Sequence, residues 1–246
     1  MLTYLANPER FLRFARIARP VFGVLAIISL GYGLWLSLIG SPEDYQQGDS
    51  VRLMYIHVPA AWSALMAYTA LASASFVSFV WRHPLADIAA KAFAVPGMAF
   101  TFLCLVTGSL WGKPIWNTWW QWDGRMTSVL ILFFIYLAYL SVGSLVADRK
   151  KAARYASILA MVGFINIPII KFSVEWWNSL HQPATISNIG APGLPPEMLW
   201  PLLTMVLGFT AFFAWASIST IQRTILIEKS ARQTVKSGAK ITLDTL

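Results

Sequence analysis

Two features of the chain have residue types that could do chemistry. One is a dense run of tryptophans, WGKPIWNTWWQWDGRMTS at 111–128, which puts Trp111, Trp116, Trp119, Trp120 and Trp122 within twelve residues. The other is a sparse set of three histidines: His57 in MYIHVPAAW, His83 in WRHPLAD and His181 in SVEWWNSLHQP. Pro114 suits the first turn of a short helix, and Trp116, Trp119 and Trp120 at i, i+3 and i+4 would then share one face. Such a face is a flat aromatic shelf. A headgroup-level aromatic belt accounts for single indoles, but a belt populates both interfaces. Here the loop five, Trp62, Trp176, Trp177 and Trp200 gather on or near one side, with Trp81 and Trp215 assigned to the other. A lopsided shelf suggests a large, flat ligand.

The histidines narrow that ligand. Imidazole nitrogen is a common axial donor to haem iron, and two such donors close both axial positions and disfavour oxygen chemistry. His57 and His181 flank the tryptophan run in sequence, each beside aromatic residues, and form the candidate metal-ligating pair. A porphyrin also carries two propionates, which suit the planar donor fork of arginine. Arg52, five residues before His57, and Arg125, at the end of the run, hold the matching positions. Asp123 is either a further member of the cofactor-binding set or a pairing partner for Arg125. Lys113 reads as a headgroup contact.

The elements that must position these residues are membrane helices. Of 246 residues, 57% are hydrophobic and 12% charged, far more apolar than soluble domains. Six stretches could cross a hydrocarbon core of about 30 Å, which needs roughly 20 helical residues: Val21–Ile39, Pro59–Trp81, Ala92–Leu110, Ser128–Ala147, Ala156–Phe172 and Leu199–Ile221. Backbone in lipid must satisfy its own hydrogen bonds, so the spans are expected to be helices. The expected fold is all-α and polytopic, a single integral membrane domain over 1–246. The first span is too long for a signal-peptide core and is expected to be an uncleaved anchor.

The net charge of +8 could suggest nucleic acid, but its distribution follows topology. Arg10, Arg13, Arg16 and Arg19 precede the first span; Arg82 and Lys91 lie in the second connection; Arg149, Lys150, Lys151 and Arg154 fill the fourth; Arg223, Lys229, Arg232, Lys236 and Lys240 lie in the tail. The alternate connections hold only Arg52, Lys113 and Arg125. By the positive-inside rule both termini are cytoplasmic and the loops 40–58, 111–127 and 173–198 face outward. His57, His181 and the tryptophan run then share the outer face, and His83 lies across the bilayer.

Cys104 is alone and mid-helix, so no disulfide, thiol redox pair or C-x-x-C-H haem attachment is available. No phosphate-binding loop and no internal repeat is present.

At these residues the chain resembles the WWD family of haem-handling membrane proteins, and within it the haem-delivery, or haem exporter C, type. DYQQGDSVRLMYIHVPAAW, VTGSLWGKPIWNTWWQWDGRMTS and NIPIIKFSVEWWNSLHQP carry the likeness, which covers nearly the full length. Asn117, where the motif leads one to expect Gly, and Met126, in place of Leu, depart from it. The resemblance implies haem b, held non-covalently with bis-His ligation by His57 and His181 under the loop 111–127, at the outer face of the bacterial inner membrane. It further implies, as partners, a membrane-anchored haem chaperone of cytochrome c maturation, ABC transporter subunits and a small membrane subunit, with membrane lipid around them and no nucleic acid or enzymatic activity. Three alternatives remain. One is a cytochrome c haem lyase, which would be longer and carry extra histidines within its helices, whereas no expected span here contains one. Another is a transmembrane haem or solute transporter, which buried charges or paired broken helices would favour. The third is a purely structural membrane subunit, which a reproducible haem spectrum of the purified protein would eliminate.

Reporter fusions after Lys151 and at the C-terminus are expected to read cytoplasm, and fusions after Trp120 and His181 periplasm. The reverse pattern would separate the two histidines from the outer face and remove the basis for a shared site.

Overall fold

The computed structural model describes residues 6–177, 179, 181 and 193–243, with backbone alone for 235–243. Of the segment 173–198, expected to face outward, residues 178, 180 and 182–192 lie outside the described residues. Among the described residues are seven α-helices and no strand: α1 (Pro8–Trp35), α2 (Met54–Trp81), α3 (Pro84–Trp116), α4 (Gly124–Leu145), α5 (Arg149–Gly163), α6 (Asn166–Trp176) and α7 (Pro196–Leu243). Six stretches are long and apolar enough to cross a membrane, the fifth made of α5 and α6 together. The expected all-α, six-span fold is what the structure has.

The helices outrun the apolar stretches at most ends because polar caps, not hydropathy, set the boundaries. Asn7 accepts the N–H of Glu9 and Arg10 to start α1, and Asp148 accepts those of Lys150 and Lys151 to start α5. Arg82, at φ 50°, stops α2 in the left-handed conformation, and Pro84 opens α3 two residues later. The fifth span is a correction to the expected single helix. Pro168 has no N–H to donate, and its ring would clash with the carbonyl of Phe164 four residues earlier, so the chain turns at Phe164–Ile165 and restarts. The buried Asn166 amide donates to the Ser128 carbonyl of α4 at 2.8 Å, which ties the restart to its neighbour.

Helices α2 and α3 form a central antiparallel hairpin. Helix α7 packs on one side of it with α1 beyond, and α4 and α5 pack on the other, with α6 against α4. Lipid tails are as apolar as leucine, so helices associate in a bilayer through close packing and interhelical hydrogen bonds. Both are visible where α2 to α5 meet. The Tyr68 and Tyr136 rings sit edge to face at 5.1 Å. Tyr68 donates to the Ala160 carbonyl and Tyr136 to the Ala64 carbonyl, each at 3.1 Å. Each phenol reaches its acceptor over a glycine: a Cβ at Gly97 would collide with the Tyr136 hydroxyl, and one at Gly163 with that of Tyr68.

This framework sets which residues share an end. The start of α2, the end of α3, the start of α4 and the end of α6 gather at one end of the bundle. The α2–α3 turn, with His83, lies at the other, roughly 36 Å along α2 from His57 at 1.5 Å per residue. Helix α7, with 48 residues, is about 70 Å long and projects well past a 30 Å core. Near that far end Lys229 pairs with Glu9 of α1 at 2.8 Å.

Gly97→Ala is expected to push Tyr136 off the Ala64 carbonyl and to lower stability by about 1–3 kcal/mol. Thermal unfolding in detergent measures it, and a melting temperature equal to wild type would show that the contact bears no strain.

Candidate functional site

His57 lies in the first turn of α2, not in a loop as the sequence suggested, and its position inside a helix removes the contrast drawn with helix-borne histidines. Its Nδ1 is 3.0 Å from the Cys104 carbonyl of α3 and 3.2 Å from Thr107 Oγ1. A carbonyl can only accept, so Nδ1 carries the proton and Nε2 presents its lone pair. The ring can rest on α3 because residue 108 is glycine: a Cβ there would come within 2.8 Å of His57 Cε1. Trp111 meets the imidazole edge-on at 5.7 Å, and its indole N–H donates to Gln47 Oε1 at 3.0 Å.

His181 is fixed in the same tautomer by a different group. Its Nδ1–H donates to Asp123 Oδ2 at 2.8 Å, and its backbone N–H donates to Ser179 Oγ at 3.1 Å. Ser179 in turn donates to the same carboxylate oxygen at 2.6 Å, and Asp123 Oδ1 accepts the Met126 N–H at 2.8 Å as the N-cap of α4. Burial alone would raise the Asp123 carboxyl, yet the hydrogen bonds from Ser179, Met126 and His181 hold it below the usual carboxylate value. Burial is the larger influence on His181 and pulls its pKa down, with Asp123 opposing. At neutral pH a carboxylate anion therefore faces a neutral imidazole, again with Nε2 free among the described residues. Trp116 lies edge-on to this ring at 4.9 Å.

Trp116 and Trp111 are thus each paired with one histidine, and the two histidines and Arg125 lie within electrostatic range of one another. The rest of the tryptophan run departs from expectation. Pro114 sits in the last turn of α3 rather than opening a new helix, and the helix ends at Trp116. Residues 118–123 are non-helical, so Trp119 and Trp120 do not continue a face with Trp116. The turn is made by Asn117 at φ 55°, in the left-handed region where Gly and Asn are the tolerated residues. That explains the departure of Asn117 from the expected Gly. Beyond it, Ser109 donates to the Trp119 carbonyl at 2.6 Å, and Lys113 lies 5.9 Å from the Trp119 ring. Trp119 and Trp122 are 55% and 74% exposed, a large open apolar surface among the described residues. Trp120 stacks edge-on with Trp122 at 5.4 Å, and its buried indole N–H finds no acceptor among the described residues.

The arginines differ from each other. Arg52 is engaged locally: Nε donates to Asp49 Oδ1 at 2.7 Å, and an amino group donates to the Leu38 and Ser37 carbonyls at 2.6 and 3.2 Å, closing the π-turn Leu36–Gly40 that ends the first span. Arg125 is half-buried and donates no hydrogen bond among the described residues; Asp123 binds His181 instead of it. Sequence reasoning missed Thr107, Gly108, Gln47 and Ser179, which hold the two histidines and Trp111. Thr107 and Gly108 stand in the VTGSLW segment, but only the α2–α3 packing shows what they touch.

Among the described residues no group of three or more His, Cys, Asp or Glu side chains could hold a bare metal ion. Two neutral imidazoles with free Nε2 atoms instead suit a metal that brings its other ligands with it, as a porphyrin does. The open indole surface, the unpaired Trp120 N–H and the uncommitted Arg125 fit such a macrocycle and its acidic edge.

The comparisons with known proteins agree in direction. The family model described as CcmC, Heme exporter protein C, matches residues 1–236. Heme exporter protein C of Bradyrhizobium diazoefficiens is 49% identical over 222 residues, covering 90% of this chain and 84% of the relative. Heme exporter protein C of Haemophilus influenzae is 42% identical over 235 residues, covering 96% of each. A ccmC-like mitochondrial cytochrome c biosynthesis protein of Marchantia polymorpha is 47% identical over 212 residues, covering 86% of this chain and 87% of the relative.

Asn117→Gly is expected to leave stability within about 1 kcal/mol of wild type, whereas Asn117→Val, β-branched at a positive φ, is expected to cost about 1–2 kcal/mol or more. Thermal unfolding of the two variants distinguishes them; equal behaviour would mean the turn is not held at positive φ.

Proposed function

This chain belongs to the heme exporter protein C family, and from that premise we propose that it binds haem between His57 and His181 and delivers it for cytochrome c maturation. The observation that carries the proposal is the matched tautomer of the two histidines. Each commits Nδ1–H to a fixed acceptor and leaves Nε2 as a donor, with a tryptophan edge-on beside it. The cargo is haem b, iron protoporphyrin IX, held non-covalently. Iron coordination supplies the specific grip, and the loop 111–127 covers the macrocycle through Trp119, Trp120 and Trp122. Arg125 is the better placed of the two arginines for a propionate, because Arg52 already serves the π-turn.

The site faces outward, toward the periplasm in a bacterial inner membrane, as the distribution of Lys and Arg supports. From there haem passes to a membrane-anchored haem chaperone, in a complex with ABC transporter subunits and the small membrane subunit of the same system. Delivery is not catalysis: the residues bind, orient and release an unchanged cargo, and the protein is not an enzyme. Exposed indoles on a short non-helical segment suit such a role. They cover one face of a flat ligand by contact alone, so a partner offering equal apolar surface can take their place. A transporter reading would need paired broken helices, and the described residues hold one such break inside a span, at Phe164–Ile165.

His57→Ala and His181→Ala are expected to reduce haem per protein and alter the Soret band, and His57→Gly or His181→Gly to regain part of it with added imidazole. His83→Ala is expected to match wild type. Haem content and absorption spectra of the purified variants measure this. A wild-type spectrum in the double His57, His181 variant, or loss of haem in His83→Ala alone, would overturn the site.

A further inference from the structure

The two proposed ligands are not held alike. The Nδ1–H of His57 faces a neutral carbonyl, that of Cys104, and a hydroxyl that itself donates to the Leu103 carbonyl at 2.6 Å. The Nδ1–H of His181 faces a carboxylate, and that carboxylate is almost fully buried and saturated. Asp123 Oδ1 accepts the Met126 N–H, while Oδ2 accepts both Ser179 and His181. It has no hydrogen to give to a propionate, and its charge would repel one.

We propose that Asp123, backed by Ser179, is a positioning residue for His181 rather than a haem contact, and that it makes His181 the stronger of the two axial donors. This rests on the bis-histidine reading above. The physical reason is general: an imidazole that donates its second N–H to a carboxylate is held in one tautomer and orientation and becomes a more basic ligand. Because Asp123 is also the N-cap of α4, the carboxylate that orients the ligand is the one that ends the tryptophan segment. Ligand and cover are therefore set by one group.

The test is a double-mutant cycle on full-length protein, titrated with haem. Asp123→Asn keeps the cap, since Asn caps helices as well as Asp, but removes the charge. In the wild-type background it is expected to weaken haem retention by about 10- to 100-fold and to raise the reduction potential of the bound haem, because a weaker donor favours the ferric state less. In a His181→Gly background the same change is expected to alter retention less than about twofold, because a positioning residue has nothing left to position. Ser179→Ala, which leaves carboxylate and cap intact, is expected to give a smaller loss with the same dependence on His181. In haem-free protein, imidazole nitrogen NMR is expected to report a pure Nδ1–H tautomer for His181 in wild type and a mixture in Asp123→Asn.

Equal losses in both backgrounds would show a direct haem contact and overturn the proposal while leaving the ligand pair intact. Wild-type retention and tautomer in Asp123→Asn would also overturn it. Unchanged retention and spectrum in His181→Gly alone would instead overturn the bis-histidine reading, and the proposal with it.

Discussion

An imidazole can coordinate iron only through a nitrogen that has kept its lone pair, so everything in this site depends on where each Nδ1 proton is sent. Both are sent inward, one to a helix carbonyl and one to a carboxylate. The alternative tautomer would place Nε2–H toward the ligand and a lone pair against the Cys104 carbonyl, where two acceptors would face each other unpaired. That penalty, on the order of 1–3 kcal/mol for a buried polar group, keeps the ring in the competent form before any ligand arrives. The rest of the architecture can be read as what brings the two acceptors to the right places.

For His57 the acceptor belongs to α3, and the contact exists because Gly108 lets the ring approach the helix. The α2–α3 hairpin is in turn held by close packing against α4 and α5, where glycines admit two tyrosine hydroxyls to backbone carbonyls. A bilayer rewards such contacts because hydrophobic burial gives no preference between a neighbouring helix and lipid. For His181 the acceptor is the cap of α4, so the helix that begins after the tryptophan segment also anchors the histidine beyond α6. Preorganisation here lies in helix ends rather than in a deep pocket. An exposed indole surface in the same segment as the tryptophans that meet the two histidines suits the proposed cargo, which must be gripped and then surrendered.

The class and the six spans are legible in the chain itself, and so are the candidate ligands His57 and His181 and the tryptophan cluster between them in sequence. Apolar stretches of fixed length report the bilayer, the placement of Lys and Arg supports an orientation, and a scarce residue type repeated on the expected outer face points to a ligand. What misled was local. Pro114 reads as a helix start because proline favours the first turn, but the preceding apolar stretch carries α3 through it until Asn117 turns the chain. The broken fifth span had a visible cause in Pro168, yet hydropathy averages over a break that keeps its residues apolar.

Composition and spacing determine that this protein lives in a membrane and which side chains can ligate, because those properties depend on residue type alone. Only the tertiary structure decides what holds them. Ser179 and Asp123 are close to each other only after α4 and the segment beyond α6 meet, and Thr107 reaches His57 only across the α2–α3 hairpin. Hydrogen bonds between residues far apart in the chain leave no periodic trace in it, so the tautomer of each histidine, on which the proposed metal binding depends, is a property of the fold.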